Sequence, residues 1–157
     1  MVFNTYFIMF WIGPMSWTVS FHPEFELEFY ELVLEVQDEL LAHAKLLEKF
    51  GPALGRPRVE TLQGSIFANM KELRFDAGDV VWRVALPFDL ERKAVLLTAE
   101  DKSGVSQRRF YGWLIAIADK RFSSHQMELK ERRKHDNAQR IDGEVARKKA
   151  SKDTRSR

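Results

Sequence analysis

Asn69-Met-Lys-Glu-Leu-Arg-Phe75, Asp76-Ala-Gly-Asp79 and Val80-Val-Trp-Arg-Val-Ala-Leu-Pro-Phe88 are the stretch on which the fold turns. Two runs rich in β-formers flank four small or polar residues that include a glycine, the pattern of an antiparallel hairpin. A third such run, Lys93 to Asp101, follows after Asp89-Leu-Glu-Arg92, so the three runs predict an antiparallel meander. Pro87 has no N–H to donate, and pairing is expected to break or bulge there.

Because side chains alternate across a strand, the same runs predict which residues share a face. Val80, Trp82, Val84, Leu86 and Phe88 form one apolar set, which puts Arg83 on the opposite face, where it is expected to be exposed. Leu73 and Phe75 share a side with Lys71, whereas Glu72 and Arg74 point the other way. In the third run Val95, Leu97 and Ala99 read as the core set, leaving Thr98, Glu100 and then Lys102 on the other side. Arg74, Arg83 and Lys102 are thereby expected to form one cationic patch on the open face of the sheet.

Working outward, Trp17-Thr-Val-Ser-Phe21 alternates like a strand and Pro23 ends it. From Glu24 to Phe50 the apolar spacing becomes helical, clearest at Val36, Leu40, Ala44 and Leu47, and Gly51-Pro52 is the stop. Phe25-Glu-Leu-Glu-Phe29 alternates with period two, which leaves open a strand or a separate first helix. Val59 to Leu62 reads as a short edge segment. Ser106 is the expected N-cap of a final helix running to about Lys134, with Phe110, Leu114, Ile117 and Phe122 on its apolar side. This order predicts an α+β fold: an N-terminal strand and helical pair, an antiparallel curved sheet of three to five strands with the helices on one face, and a C-terminal helix.

With 157 residues, 45% hydrophobic and 31% charged, the chain suits one globular domain, expected over residues 15–134. There is no cysteine, which excludes a disulfide framework, a thiolate metal site and a thiol nucleophile. The net charge of +2 is unevenly placed: residues 130–157 hold 11 Lys/Arg against 5 Asp/Glu, and residues 1–129 carry the balance of −4. Residues 135–157 nearly lack large apolar groups and are expected to be a basic disordered tail or a frayed helix. Residues 1–14 form an apolar N-terminal extension, too short for a bilayer span of ~20 residues and without the basic start of a secretory signal. Translation is expected to begin at Met15, and a cytoplasmic location is expected.

A cationic patch suits a phosphodiester, because arginine presents a planar fork to phosphate oxygens and holds developing charge. Charged side chains are also ordinary on any exposed sheet face. No Gly-rich phosphate loop, Gly-x-Ser-x-Gly elbow or His-Glu-x-x-His motif occurs. His22, His43, His125 and His135 lack ligand spacing and are expected at solvent-facing positions; no metal and no cofactor are expected.

Trp17-Thr-Val-Ser-Phe, Val36-Gln-Asp-Glu-Leu-Leu-Ala, Gly51-Pro-Ala-Leu-Gly-Arg-Pro, Met70-Lys-Glu-Leu-Arg-Phe, Trp82-Arg-Val-Ala, Arg92-Lys-Ala-Val-Leu-Leu and Asp101-Lys-Ser-Gly-Val-Ser, in this order and spacing, resemble the phage-derived, HigB-like branch of the RelE/ParE toxin superfamily. The resemblance covers roughly residues 16–130. It implies a compact α+β toxin of a type II toxin–antitoxin system, inhibited by a cognate antitoxin with a helix-turn-helix domain, that cleaves mRNA on the ribosome without a metal and without a membrane. Carried over to this chain, it implies catalytic positions at Lys71, Arg74, Arg83 and Lys102. Arg74 and Arg83 would meet transition-state charge, Lys102 would bind phosphate or act as acid, and the base is open between Glu72 and Lys71. Arg108, Arg109 and Tyr111 are the expected substrate contacts. Two other readings stay open: a ParE-like toxin that binds gyrase and cleaves nothing, and a decayed, non-catalytic module that binds nucleic acid or antitoxin.

Overall fold

The computed structural model describes residues 16–155. The expectations for residues 1–14 lie outside them. Strand β1 (Thr18–Phe21) leads into helix α1 (Pro23–Glu31), where the buried His22 side chain accepts from the Glu24 N–H and caps the helix. The period-two stretch around Phe25 is therefore helical: Phe25 and Phe29, four residues apart, fill its buried side. His22, expected to face solvent, is buried as a cap instead.

Helix α2 (Leu34–Phe50) buries Val36, Leu40, Ala44 and Leu47, as their spacing requires, and ends at Gly51. Gly51 has φ of 53°, and a Cβ there would strike the Trp17 ring, so only glycine fits. Then come a single 3-10 turn (Gly51–Ala53), β2 (Val59–Thr61), β3 (Met70–Ala77), β4 (Val80–Pro87), β5 (Lys93–Leu96), β6 (Thr98–Asp101) and α3 (Gln107–Arg155). The Ser106 hydroxyl accepts from the Arg109 N–H and caps α3.

Strands β2, β3, β4 and β6 make a four-stranded antiparallel sheet in that order, with β2 at an edge. The run read as one strand, Lys93 to Asp101, breaks at Leu97. Its first half, β5, pairs in parallel with β1, and its second half, β6, pairs with β4. Ala94 through Ala99 are all buried, so this segment has no outward face and is shared between two neighbours. Pro87 closes β4 opposite Met70, at a strand end where its missing donor costs little.

The main correction concerns the layers. Helices α1 and α2 pack on one face through Phe25, Phe29, Leu40 and Leu47 against Leu73, Phe75, Val84 and Leu86. The opposite face is covered as well: Phe110, Leu114, Ala118 and Phe122 of α3 pack on Leu62, Met70, Ala85, Val95 and Leu97. The sheet has no wholly open side. Asp119 accepts from Ser65 Oγ and the Ile66 N–H, tying the β2–β3 loop to this part of α3.

The packed unit ends at Phe122, and residues from Ser123 onward form a second unit. There α3 does not stop near Lys134 but continues to Arg155. No proline interrupts it, helix-favouring Lys, Arg, Glu, Gln and Ala dominate, and one-turn contacts such as Lys134 with Glu131 and Gln139 with His135 support it.

Candidate functional site

Four charged residues and a tyrosine form a row across the α3-covered face. Register places Glu60 of β2 opposite Glu72 of β3, and Arg74 of β3 opposite Arg83 of β4. At the centre lies the Glu72 carboxylate, whose side chain is only 3% exposed. Its Oε1 accepts from Arg74 Nε at 2.5 Å and from the Tyr111 hydroxyl at 3.1 Å, and lies 3.2 Å from Arg83 Nε. Arg83 Nε also donates to the Tyr111 oxygen at 3.0 Å, closing a triangle. On its outer side Arg74 pairs with Glu60, which in turn pairs with Arg56 at 3.1 Å. The hydrogen bond to Glu72 holds the Arg74 guanidinium above its ordinary value, against the opposing effect of burial.

Arg83 was expected on an open face; its side chain is 13% exposed. The first turns of α3 cross over it, setting the Phe110 and Tyr111 rings 5.7 and 5.9 Å from its guanidinium carbon. Its Nη1 is buried without a hydrogen-bond partner among the described residues. Arg83 and Lys102, with Ser103, Val81, Val80 and Asp79, line a cleft of about 270 Å³ between the β3–β4 turn and the loop before α3. Lys102 reaches only a 3.4 Å contact with Gln107 Oε1. A buried cationic N–H lacking an acceptor, next to a second cation at a cleft, favours an anion entering that cleft.

The structure thus gathers Glu72, Arg74, Arg83 and Tyr111 into one network and brings Lys102 to the same cleft as Arg83. Lys71 does not join them. It lies on the opposite side of β3 and donates to Thr61 Oγ1 at 3.0 Å, beside a separate cleft lined by Arg56 and Glu60. Arg108 and Arg109 are exposed on the first turn of α3, outside the network. Of the two candidate bases, Glu72 is the one in the network: its Oε1 takes hydrogen bonds from Arg74 and Tyr111 and an ion pair from Arg83. Glu60 was missed: a three-residue edge strand carries too little pattern to fix its register.

A second ionic group was also missed. Arg121 of α3, itself buried, bonds Glu24 Oε2 at 2.9 Å, both carboxylate oxygens of Glu28, and the Leu97 carbonyl at 2.7 Å. The bonds to Glu28 hold this guanidinium above its ordinary value. Nearby Glu100 is pushed up to about 7 by burial and by the charges of Glu28 and Asp101, with Arg121 opposing. Among the described residues no cluster of three metal-ligating side chains occurs, and no helix is long and apolar enough to cross a membrane.

Fold and site together define a small α+β protein in which two arginines and a tyrosine share one buried carboxylate beside a cationic cleft. The chain belongs to the Gp49-like family of phage-derived proteins (DUF891), whose model matches residues 28–123. It is 41% identical over 99 residues to a Mycobacterium tuberculosis protein provisionally named toxin HigB3, covering 63% of this chain and 84% of that one. A second protein of that organism, provisionally named toxin HigB2, is 40% identical over 99 residues, covering 62% of this chain and 45% of its own length. A solved structure of a double-arginine mutant of the E. coli toxin RelE in the free state aligns with a TM-score of 0.45 and 13% identity, over 65% of this chain and 96% of that one.

Proposed function

We propose that the protein is the toxin of a type II toxin–antitoxin system and acts as a ribosome-dependent mRNA endonuclease. Family membership supports the toxin reading. The observation that carries the nuclease reading is Arg83, with its buried Nη1 unpartnered at a cleft that Lys102 shares. Cleavage of RNA by its own 2′-hydroxyl needs a base for that hydroxyl, a proton for the leaving 5′-oxygen and compensation of the charge that builds on phosphorus oxygens. Arg83 supplies the compensation through a guanidinium that Glu72 and Tyr111 already orient, its shielded Nη1 being uncovered as the phosphate enters the cleft. Arg74 fixes Glu72 and, through it, Arg83. Lys102, on a mobile stem, meets the phosphate or protonates the leaving oxygen.

Partners on this reading are mRNA on the ribosome and an antitoxin with a helix-turn-helix domain. The test is induced expression followed by mapping of RNA 5′ ends. New ends within translated messages, absent with Arg83→Ala, support the reading. Growth arrest with intact messages and inhibited gyrase would replace it with the ParE-like one.

A further inference from the structure

The corner between α1 and α2, remote in sequence from the arginine row, presents Leu27, Tyr30, Val33 and Leu34, each 68% to 73% exposed. Single exposed apolar residues are ordinary, but four within eight positions mark a contact surface. They lie on the outer side of the two helices. Phe25 and Phe29 of α1, and Val36 and Leu40 of α2, occupy the buried side, which leaves Leu27 and Tyr30, three residues apart, and Leu34 facing away from the core. The corner is held: Gln37 Nε2 donates to the Leu32 carbonyl at 2.7 Å and reaches the Tyr30 carbonyl at 3.4 Å, and the Leu32 N–H donates to Phe29 at 3.1 Å. These side chains are therefore presented by a rigid support.

Their surroundings have one sign. Between Glu24 and Glu48 there are eight Asp/Glu residues and a single cation, Lys45. Glu26, Glu31, Glu35 and Asp38 are exposed about the apolar group. Such a field repels nucleic acid and anionic lipid. Strand addition is also excluded, since α1 and α2 use their own backbone groups internally.

We propose that this corner is a docking surface for a cationic amphipathic helix of a partner polypeptide. Its apolar anchors, one turn apart, would meet Leu27, Tyr30, Val33 and Leu34, and its flanking Lys or Arg would meet the acidic rim. The proposal is independent of the nuclease reading. It is tested on the full chain by fluorescence anisotropy with a labelled synthetic Leu/Lys peptide that places leucines at i, i+3, i+4 and i+7, against a scrambled peptide of the same composition. The ordered peptide should bind. Tyr30→Ala with Leu34→Ala, and separately Glu31→Lys with Glu35→Lys, should each weaken it at least tenfold, while Asp142→Lys with Glu144→Lys, the same change of charge elsewhere, should not. Equal binding of the scrambled peptide, or indifference to the corner variants, overturns the proposal. So does sedimentation showing a dimer of the wild type that dissociates in Tyr30→Ala with Leu34→Ala, since a second copy would then cover the corner.

Discussion

Replacing Arg83 separates its two roles, because the structure gives it a load-sharing part in the core and a chemical part in the cleft. Arg83→Ala removes an ion pair from Glu72, a hydrogen bond to Tyr111 and two aromatic contacts, but Glu72 keeps its hydrogen bonds from Arg74 and Tyr111. The cost is therefore expected below the ~3–5 kcal/mol of a fully orphaned buried charge, at about 1–3 kcal/mol. For a packed unit of this size each kcal/mol lowers Tm by roughly 4–8 °C. The chemical loss is larger, about 10²–10³ in cleavage rate, the usual effect of deleting one preorganised donor to developing charge. Tyr111→Phe is the control. It breaks the same triangle and costs about 1 kcal/mol, yet leaves the cation in the cleft, so cleavage should fall far less. Arg83→Lys should retain charge but lose the fork and remain impaired. The assay is single-turnover cleavage of message on stalled ribosomes, well below each variant's Tm, with urea melts alongside. Full activity in Arg83→Ala refutes the site. So does a loss of activity that follows stability equally in Arg83→Ala and Tyr111→Phe, for Arg83 would then be structural alone.

Arg121→Ala should cost about 1–3 kcal/mol by denaturant melts, because the buried Leu97 carbonyl loses its donor, while Glu24 and Glu28, 60% and 42% exposed, can turn to water. Glu100, raised from 4.5 to about 7, is harder to ionise in the folded chain, so between those pH values the native state binds more protons than the unfolded state. Its contribution to stability is therefore fully present below pH 4.5 and is lost as pH rises to about 7; Glu100→Gln should flatten that part of the stability profile and raise Tm at pH 8. Gly51→Ala should cost at least ~2 kcal/mol, since the new methyl meets the Trp17 ring and the residue keeps a positive φ; a thermal melt checks it.

The elements were legible where one period ruled. Val36, Leu40, Ala44 and Leu47 announce α2 and its buried side, and the Asp76–Asp79 turn announces the β3–β4 hairpin, because in both cases local geometry and burial ask for the same pattern. Legibility failed where a segment serves two neighbours. The unbroken burial from Ala94 to Ala99 carries no alternation, so nothing in it distinguishes one strand from the observed pair that splits at Leu97 between β1 and β4.

The arginine row was legible in part for a related reason. Alternation along a strand states which side Arg74 and Arg83 occupy, and that was correct, as was the exclusion of Lys71 from their side by parity alone. What alternation does not state is what lies above that side. The apolar stripe of α3 was read, but a stripe gives no face to pack on, and on β3 and β4 the second core's Met70 and Ala85 share a side with the charged Glu72, Arg74 and Arg83. Once α3 is laid over it, Arg83 has to pass beneath Phe110 and Tyr111, and a cation so placed needs a buried carboxylate. Glu72, two positions before Arg74 on the same side, is the residue that parity places within reach. A charged residue repeated at even spacing on adjacent strands, next to a helix that brings a tyrosine, is thus better read as a buried network that holds one arginine at a cleft than as a solvated cationic patch.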